Sequence, residues 1–151
     1  MKYRKAKKIL FVCTGNTCRS PMAELILKSK LKEDGIKGVK SASAGIYGEE
    51  GNKINRNALH VLKKRGINGY PFRARKLTQK MIDEADAVVC MTEQHKNMLC
   101  KDKKICSAKE ITGVGDIDDP YGKSLEEYSK TAEEIDALCD VLVKIIKGEE
   151  L

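Results

Sequence analysis

Tryptophan is absent from this chain of 151 residues, phenylalanine and histidine occur twice each, and proline occurs three times. With so few aromatics among its basic residues, the chain offers no series of rings on which nucleic-acid bases could stack. Its apolar residues nowhere approach the ~20 consecutive positions that a membrane span requires. The basic stretch 1–8 is followed by only Ile9-Leu10-Phe11-Val12-Cys13, too short for the core of an export signal. Repeats, low-complexity tracts and linkers are also missing, and the cysteine spacings form no zinc pattern. His60 and His95 are isolated and read as surface or capping residues. These absences predict a single cytoplasmic domain over 1–151 with no membrane or nucleic-acid partner and no metal or cofactor; a monomer is expected, although the sequence does not fix the oligomeric state.

A hydrophobic content of 41% is enough to supply one core. A chain of this length with regular apolar segments needs no disulfide staples, so its six cysteines read as thiols in a reducing compartment. The net charge of +7 suits anionic ligands, but five of the positive charges (Lys2, Arg4, Lys5, Lys7 and Lys8) lie in the first eight residues. We read 1–7 as a basic, solvated N-terminal extension.

Lys8 to Cys13 reads as a strand, the Gly/Asn/Thr stretch after it as a loop, and Pro21 to about Asp34 as a helix with Ser20 as its N-cap. Further strands are expected at 39–44, 87–91 and 104–108, and helices at 55–65 (closed by Gly66), 78–84 and 93–100. Met91 and Met98 read as core packing. In the last helix Tyr128, Ala132, Ile135, Leu138, Leu142 and Ile145 share one stripe. Strands alternating with helices predict an α/β fold, a parallel sheet with helices on both faces whose ligands bind beyond the carboxyl ends of the strands.

The segment Cys13-Thr14-Gly15-Asn16-Thr17-Cys18-Arg19-Ser20 lies between the first strand and the first helix. Five residues between cysteine and arginine can curl the backbone around one phosphate, with successive N–H groups and the helix N-terminus supplying positive potential. The same field favours a thiolate at Cys13, the form in which cysteine is a nucleophile. Arg19 is placed to return and hold two phosphoryl oxygens. Gly15 is expected to take a backbone conformation closed to other residues, Asn16 to fix the loop by side-chain hydrogen bonds, and Ser20 to donate one to the Cys13 sulfur. A buried cysteine that ends a strand is a common structural residue. The apolar strand before it and Ser-Pro with a helix after it favour chemistry here. The loop lacks the Gly-Lys-Ser/Thr of a nucleoside triphosphate site.

Transfer from a poor leaving group also needs an acid, and Asp118-Asp119-Pro120-Tyr121-Gly122 offers two carboxyls on a turn, with an aromatic ring to wall the entrance. Tyr47, on the loop after Gly45, is a second candidate for lining that entrance.

The run from Val12 to Glu24 resembles the signature of the low-molecular-weight protein tyrosine phosphatases. Ser41-Ala42-Ser43-Ala44-Gly45, Ala85 to Thr92 and Asp118 to Gly122 resemble later segments of that family in the same order. The resemblance implies a Rossmann-like, four-stranded parallel sheet, Cys13 as nucleophile, Arg19 as phosphate clamp, Asp119 as acid and then base, and phosphorylated proteins as substrates. Thr17, where many phosphotyrosine-directed members carry a branched aliphatic, resembles the protein-arginine phosphatase branch, which places phosphoarginine ahead of phosphotyrosine. Cys18 is close enough in the loop for a reversible, protective disulfide with Cys13. The rival readings are thiol-dependent arsenate reduction, with Cys90 and Cys100 as resolving thiols, and a binding module that uses the loop without turnover.

Overall fold

The computed structural model describes residues 3–149. Strand β1 (Lys8–Cys13) is flanked by β2 (Lys40–Gly45) on one side and β3 (Ala87–Cys90) on the other, with β4 (Ile105–Ser107) outside β3. All the pairings in the order β2-β1-β3-β4 are parallel. The chain crosses from β1 outward to β2, then back over β1 to β3. The reversal falls beside the carboxyl end of β1, where an open α/β sheet leaves a crevice.

Alternation along β1 builds two cores. Ile9, Phe11 and Cys13 face the larger, formed with helices α1 (Arg19–Glu33), α2 (Arg56–Lys64) and α6 (Leu125–Lys147). Leu10 and Val12 face the smaller, with Val88, Cys90, Ile105 and Ile82 of α3 (Gln79–Glu84). The expected stripe on α6 is buried throughout, and Gly148 ends that helix at φ 76°. The helix near residue 93 is shorter than its pattern suggested: α4 spans Glu93–Asn97, and Met98, expected in the core, is 47% exposed. A short α5 (Ala108–Thr112) follows β4 directly, closed at its start by a capping box between Ser107 and Glu110.

Two local expectations are corrected. Ser20 does not cap α1: Cys18 is the N-cap residue, no side chain caps the first turn, and Pro21 is the third helical residue. The Ser20 hydroxyl is engaged by the loop instead. The basic extension is also not a solvated tail from Tyr3 onward. Tyr3 is buried, its hydroxyl donating to the carbonyls of Val88 (3.1 Å) and Lys104 (2.6 Å), while Asp86 accepts from the N–H groups of Lys7 and Lys8. Met1 and Lys2 lie outside the described residues. Among the described residues no helix is long and apolar enough to cross a membrane.

Candidate active site

Cys13, the last residue of β1, lies at the base of a cavity of about 220 Å³ lined by Thr14, Gly15, Thr17, Cys18, Arg19, Asp119 and Tyr121. The backbone from Cys13 onward is pinned to its neighbours, because Ile46 N–H donates to the Cys13 carbonyl and Tyr47 N–H to that of Thr14. Gly45 makes this approach possible: a Cβ there would lie 2.6 Å from the Thr14 oxygen and 2.7 Å from the Asn16 nitrogen. The left-handed residue of the loop is Asn16, at φ 56°, and not Gly15, which has no positive φ. Asparagine tolerates that conformation better than most residues.

Side chains complete the loop from beneath. The Asn16 amide donates to Ser20 Oγ (2.8 Å) and Ser43 Oγ (2.9 Å), and its Oδ1 accepts from Arg75 N–H. Ser43 in turn donates to Glu24 Oε1 at 2.7 Å. Ser20 Oγ, already accepting from Asn16, is 2.8 Å from Cys13 Sγ, which leaves its hydroxyl hydrogen for the sulfur. Burial raises the Glu24 carboxyl, against the lowering effect of its bond from Ser43. Among the described residues no buried side-chain nitrogen or oxygen lacks a partner.

Arg19 is 4% exposed, its Nη1 donating to the Ile117 carbonyl (3.0 Å) and Nη2 to Thr14 Oγ1 (3.3 Å). Asp119 Oδ2 stands 3.8 Å from the same Nη2, while Oδ1 accepts from Tyr121 N–H. Asp119, and not Asp118, therefore faces the cavity. The Ile117 N–H donates to Met91 O, which fixes this segment against the end of β3.

His95 is not the surface residue its isolation suggested. It is buried, with Nε2 2.9 Å from Thr14 Oγ1 and Nδ1 2.9 Å from Thr92 Oγ1. Burial first, and then the Arg19 charge, lowers its pKa to about 4, so the ring is neutral at neutral pH. No local pattern marks Glu24, Arg75 or Ile117 as part of the site; for Ser43 the polar alternation of Ser41 and Ser43 along β2 is the available signal.

Other expectations fared unevenly. Tyr47 is 67% exposed and is not among the residues lining the cavity; its backbone, not its ring, serves the loop. Cys18 is a free thiol 3.5 Å from Tyr128 Oη, and burial raises it, which slows it as an attacking thiol. Cys90 is buried in β3 and pushed up to about 12 by desolvation, and Cys100 is exposed in a separate surface cleft, so neither is placed to resolve a bond at Cys13.

Residues 8–151 match the family model described as low molecular weight phosphotyrosine protein phosphatase. A protein-arginine-phosphatase from Geobacillus stearothermophilus is 39% identical over 150 residues, covering 95% of this chain and 98% of that protein. The structure of a low molecular weight protein tyrosine phosphatase from T. tengcongensis superposes with a TM-score of 0.86 at 44% identity, covering 91% of this chain and 97% of that one. An arginine phosphatase, YwlE, in a mutant whose active-site serine is phosphorylated, superposes at 0.85 with 36% identity, covering 91% and 93%.

Proposed function

The chain belongs to the low molecular weight phosphotyrosine protein phosphatase family, and from that premise we propose that it hydrolyses phosphorylated protein side chains through a phosphocysteine on Cys13. The observation that carries this reading is the convergence in one cavity of the Cys13 sulfur, hydrogen-bonded to Ser20, with Arg19 and Asp119 side by side across from it. The Cys13 thiolate attacks phosphorus; the bond from phosphorus to the leaving oxygen or nitrogen breaks, and Asp119 gives its proton to the departing group. Asp119, now a carboxylate, takes a proton from water as that water attacks the phosphocysteine. Phosphate leaves and the thiolate returns. Arg19 and the uncapped first turn of α1 offset the charge on the phosphoryl oxygens throughout. The related phosphatase mutant with a phosphorylated active-site serine supports a covalent intermediate.

Phosphoarginine is favoured over phosphotyrosine on the strength of Thr17, which lines the cavity and offers a hydroxyl where an aliphatic would offer bulk. That hydroxyl can orient water or a phosphoramidate nitrogen, and the Asp119 carboxylate pairs with a guanidinium leaving group. Relatives named for each substrate are similar to this chain, so their names leave the choice to the residue. The test is phosphate release by wild type, Cys13→Ser and Thr17→Ile from matched phosphoarginine and phosphotyrosine peptides without added metal. Wild type should prefer phosphoarginine, Thr17→Ile should reverse the preference, and Cys13→Ser should be inactive. Preference for phosphotyrosine throughout would remove the substrate assignment, and activity in Cys13→Ser would remove the mechanism.

A further inference from the structure

Beside the catalytic cavity lies a larger groove, about 630 Å³, walled by Arg56, Asn57 and His60 of α2, by Tyr121 and Lys123 of the chain leading into α6, and by Leu125, the first residue of that helix. The two spaces share Tyr121, which is 70% exposed and stands between them. They are also joined structurally. Asn55, the N-cap of α2, donates its N–H to the Thr17 carbonyl at 2.9 Å, and Tyr128, which lines the groove, holds its hydroxyl 3.5 Å from Cys18 Sγ. A chain lying in the groove therefore rests on the frame that holds the phosphate loop.

The groove is positively charged and unpaired. Arg56 and Lys123 are exposed, and among the described residues neither has an ion-pair partner. No carboxylate lines the groove; Glu126 and Glu127, which follow on α6, are not part of its wall. Asn57 and His60 add polar side chains to its wall, while Tyr121 and Leu125 offer apolar contact. The catalytic cavity, at about 220 Å³, has room for a phosphorylated side chain but not for the polypeptide that carries it. That polypeptide must run along the surface, and across Tyr121 it meets these two cations.

We propose that this groove is a substrate subsite that binds acidic residues flanking the phosphorylated residue of a protein substrate. The inference rests on the phosphatase reading above and adds to it a sequence preference read by Arg56 and Lys123. Opposite charge across an exposed site speeds encounter and fixes register, and its effect fades with salt.

The experiment compares kcat/KM for short phosphoarginine and phosphotyrosine peptides whose flanks, on one side or the other, carry aspartate, asparagine or lysine. The enzymes are wild type, Arg56→Ala/Lys123→Ala and the charge reversal Arg56→Glu/Lys123→Glu, with a small aryl phosphate as a reference substrate. Wild type should favour aspartate flanks on one side by roughly three- to tenfold, the scale of two exposed charge contacts. The preference should shrink at high salt, vanish in the alanine pair and invert toward lysine-flanked peptides in the reversal. No preference in wild type, a preference that survives both variants, or an equal loss on the aryl phosphate would overturn the subsite while leaving the phosphatase standing. Competition by a single-stranded oligonucleotide as strong as that by an unphosphorylated aspartate peptide would show an indiscriminate anion patch and overturn it too. Absence of phosphate release from every substrate by wild type would instead overturn the parent reading, and the subsite with it.

Discussion

Residues 13–20 and residues 118–123 meet in one cavity, yet Asn16 and Ser20 are wholly buried, whereas the Asp119 side chain is 50% and Tyr121 70% exposed. The loop after Cys13 is held by Asn16, Ser43, Ser20 and the backbone just past β2, so that under the proposed function its donors are in place before any anion arrives. The second segment is tied down at Ile117, beyond which Asp119 has only its turn and a 3.8 Å approach to Arg19. On the proposed reading, the part that matches a phosphate, the same in every substrate, is the buried and hydrogen-bonded one. The part that must receive varied leaving groups and varied protein chains is open to solvent.

That contrast can be broken by exchanging which property each region loses. Asp119→Asn should lower kcat by about 10² to 10⁴-fold on poor leaving groups, the range of a positioned acid. The loss should be much smaller on a nitrophenyl phosphate, with the urea midpoint unchanged. Equal losses on both substrates would mean that Asp119 is not the acid.

Asn16→Ala should act on stability instead. It leaves Ser43, Ser20 and Arg75 N–H each short of one partner and places alanine at φ 56°, for a cost of about 3 kcal/mol in unfolding free energy. Asp118→Asn, on the exposed segment, should stay within about 0.5 kcal/mol. Comparable unfolding energies for the two variants would erase the distinction between the regions.

A last test concerns His95, which joins the loop to the end of β3. Its folded pKa of about 4 lies below the ordinary 6.5, so between those values the unfolded chain binds a proton that the folded chain does not. Stability should therefore be full above pH 6.5 and decline as pH falls toward 4. In His95→Gln, which can keep a bond to Thr14, the difference in unfolding free energy between pH 7 and pH 5 should shrink. An unchanged slope would mean that other groups carry the acid sensitivity.

The site was legible where its chemistry is local. Cys13 to Ser20 is a contiguous strand-loop-helix junction, and the spacing of cysteine to arginine can be read without knowing what packs on it. Around that junction the reading failed in small ways with one cause. Ser20 bonds Cys13 as its place in the loop suggests, but it is no N-cap, because the Asn16 amide also engages its hydroxyl; the left-handed turn falls on Asn16 rather than on Gly15. His95 was misread because nothing in residues 93–97 records that Thr14, 81 positions away, lies against its ring.

By itself the sequence determined the alternation of strands and helices, the apolar faces that bury them, and a strand-loop-helix junction that places a cysteine and an arginine around one short loop, because each depends on spacing within a few residues. Only the tertiary structure decided that Glu24 and Ser43 hold the loop from beneath, that His95 lies against Thr14, that Tyr47 lies outside the cavity, and that Arg56 and Lys123, without an ion pair among the described residues, line one groove. Those are relations between elements distant in the chain, set by how the helices cross the sheet, and no local period encodes them.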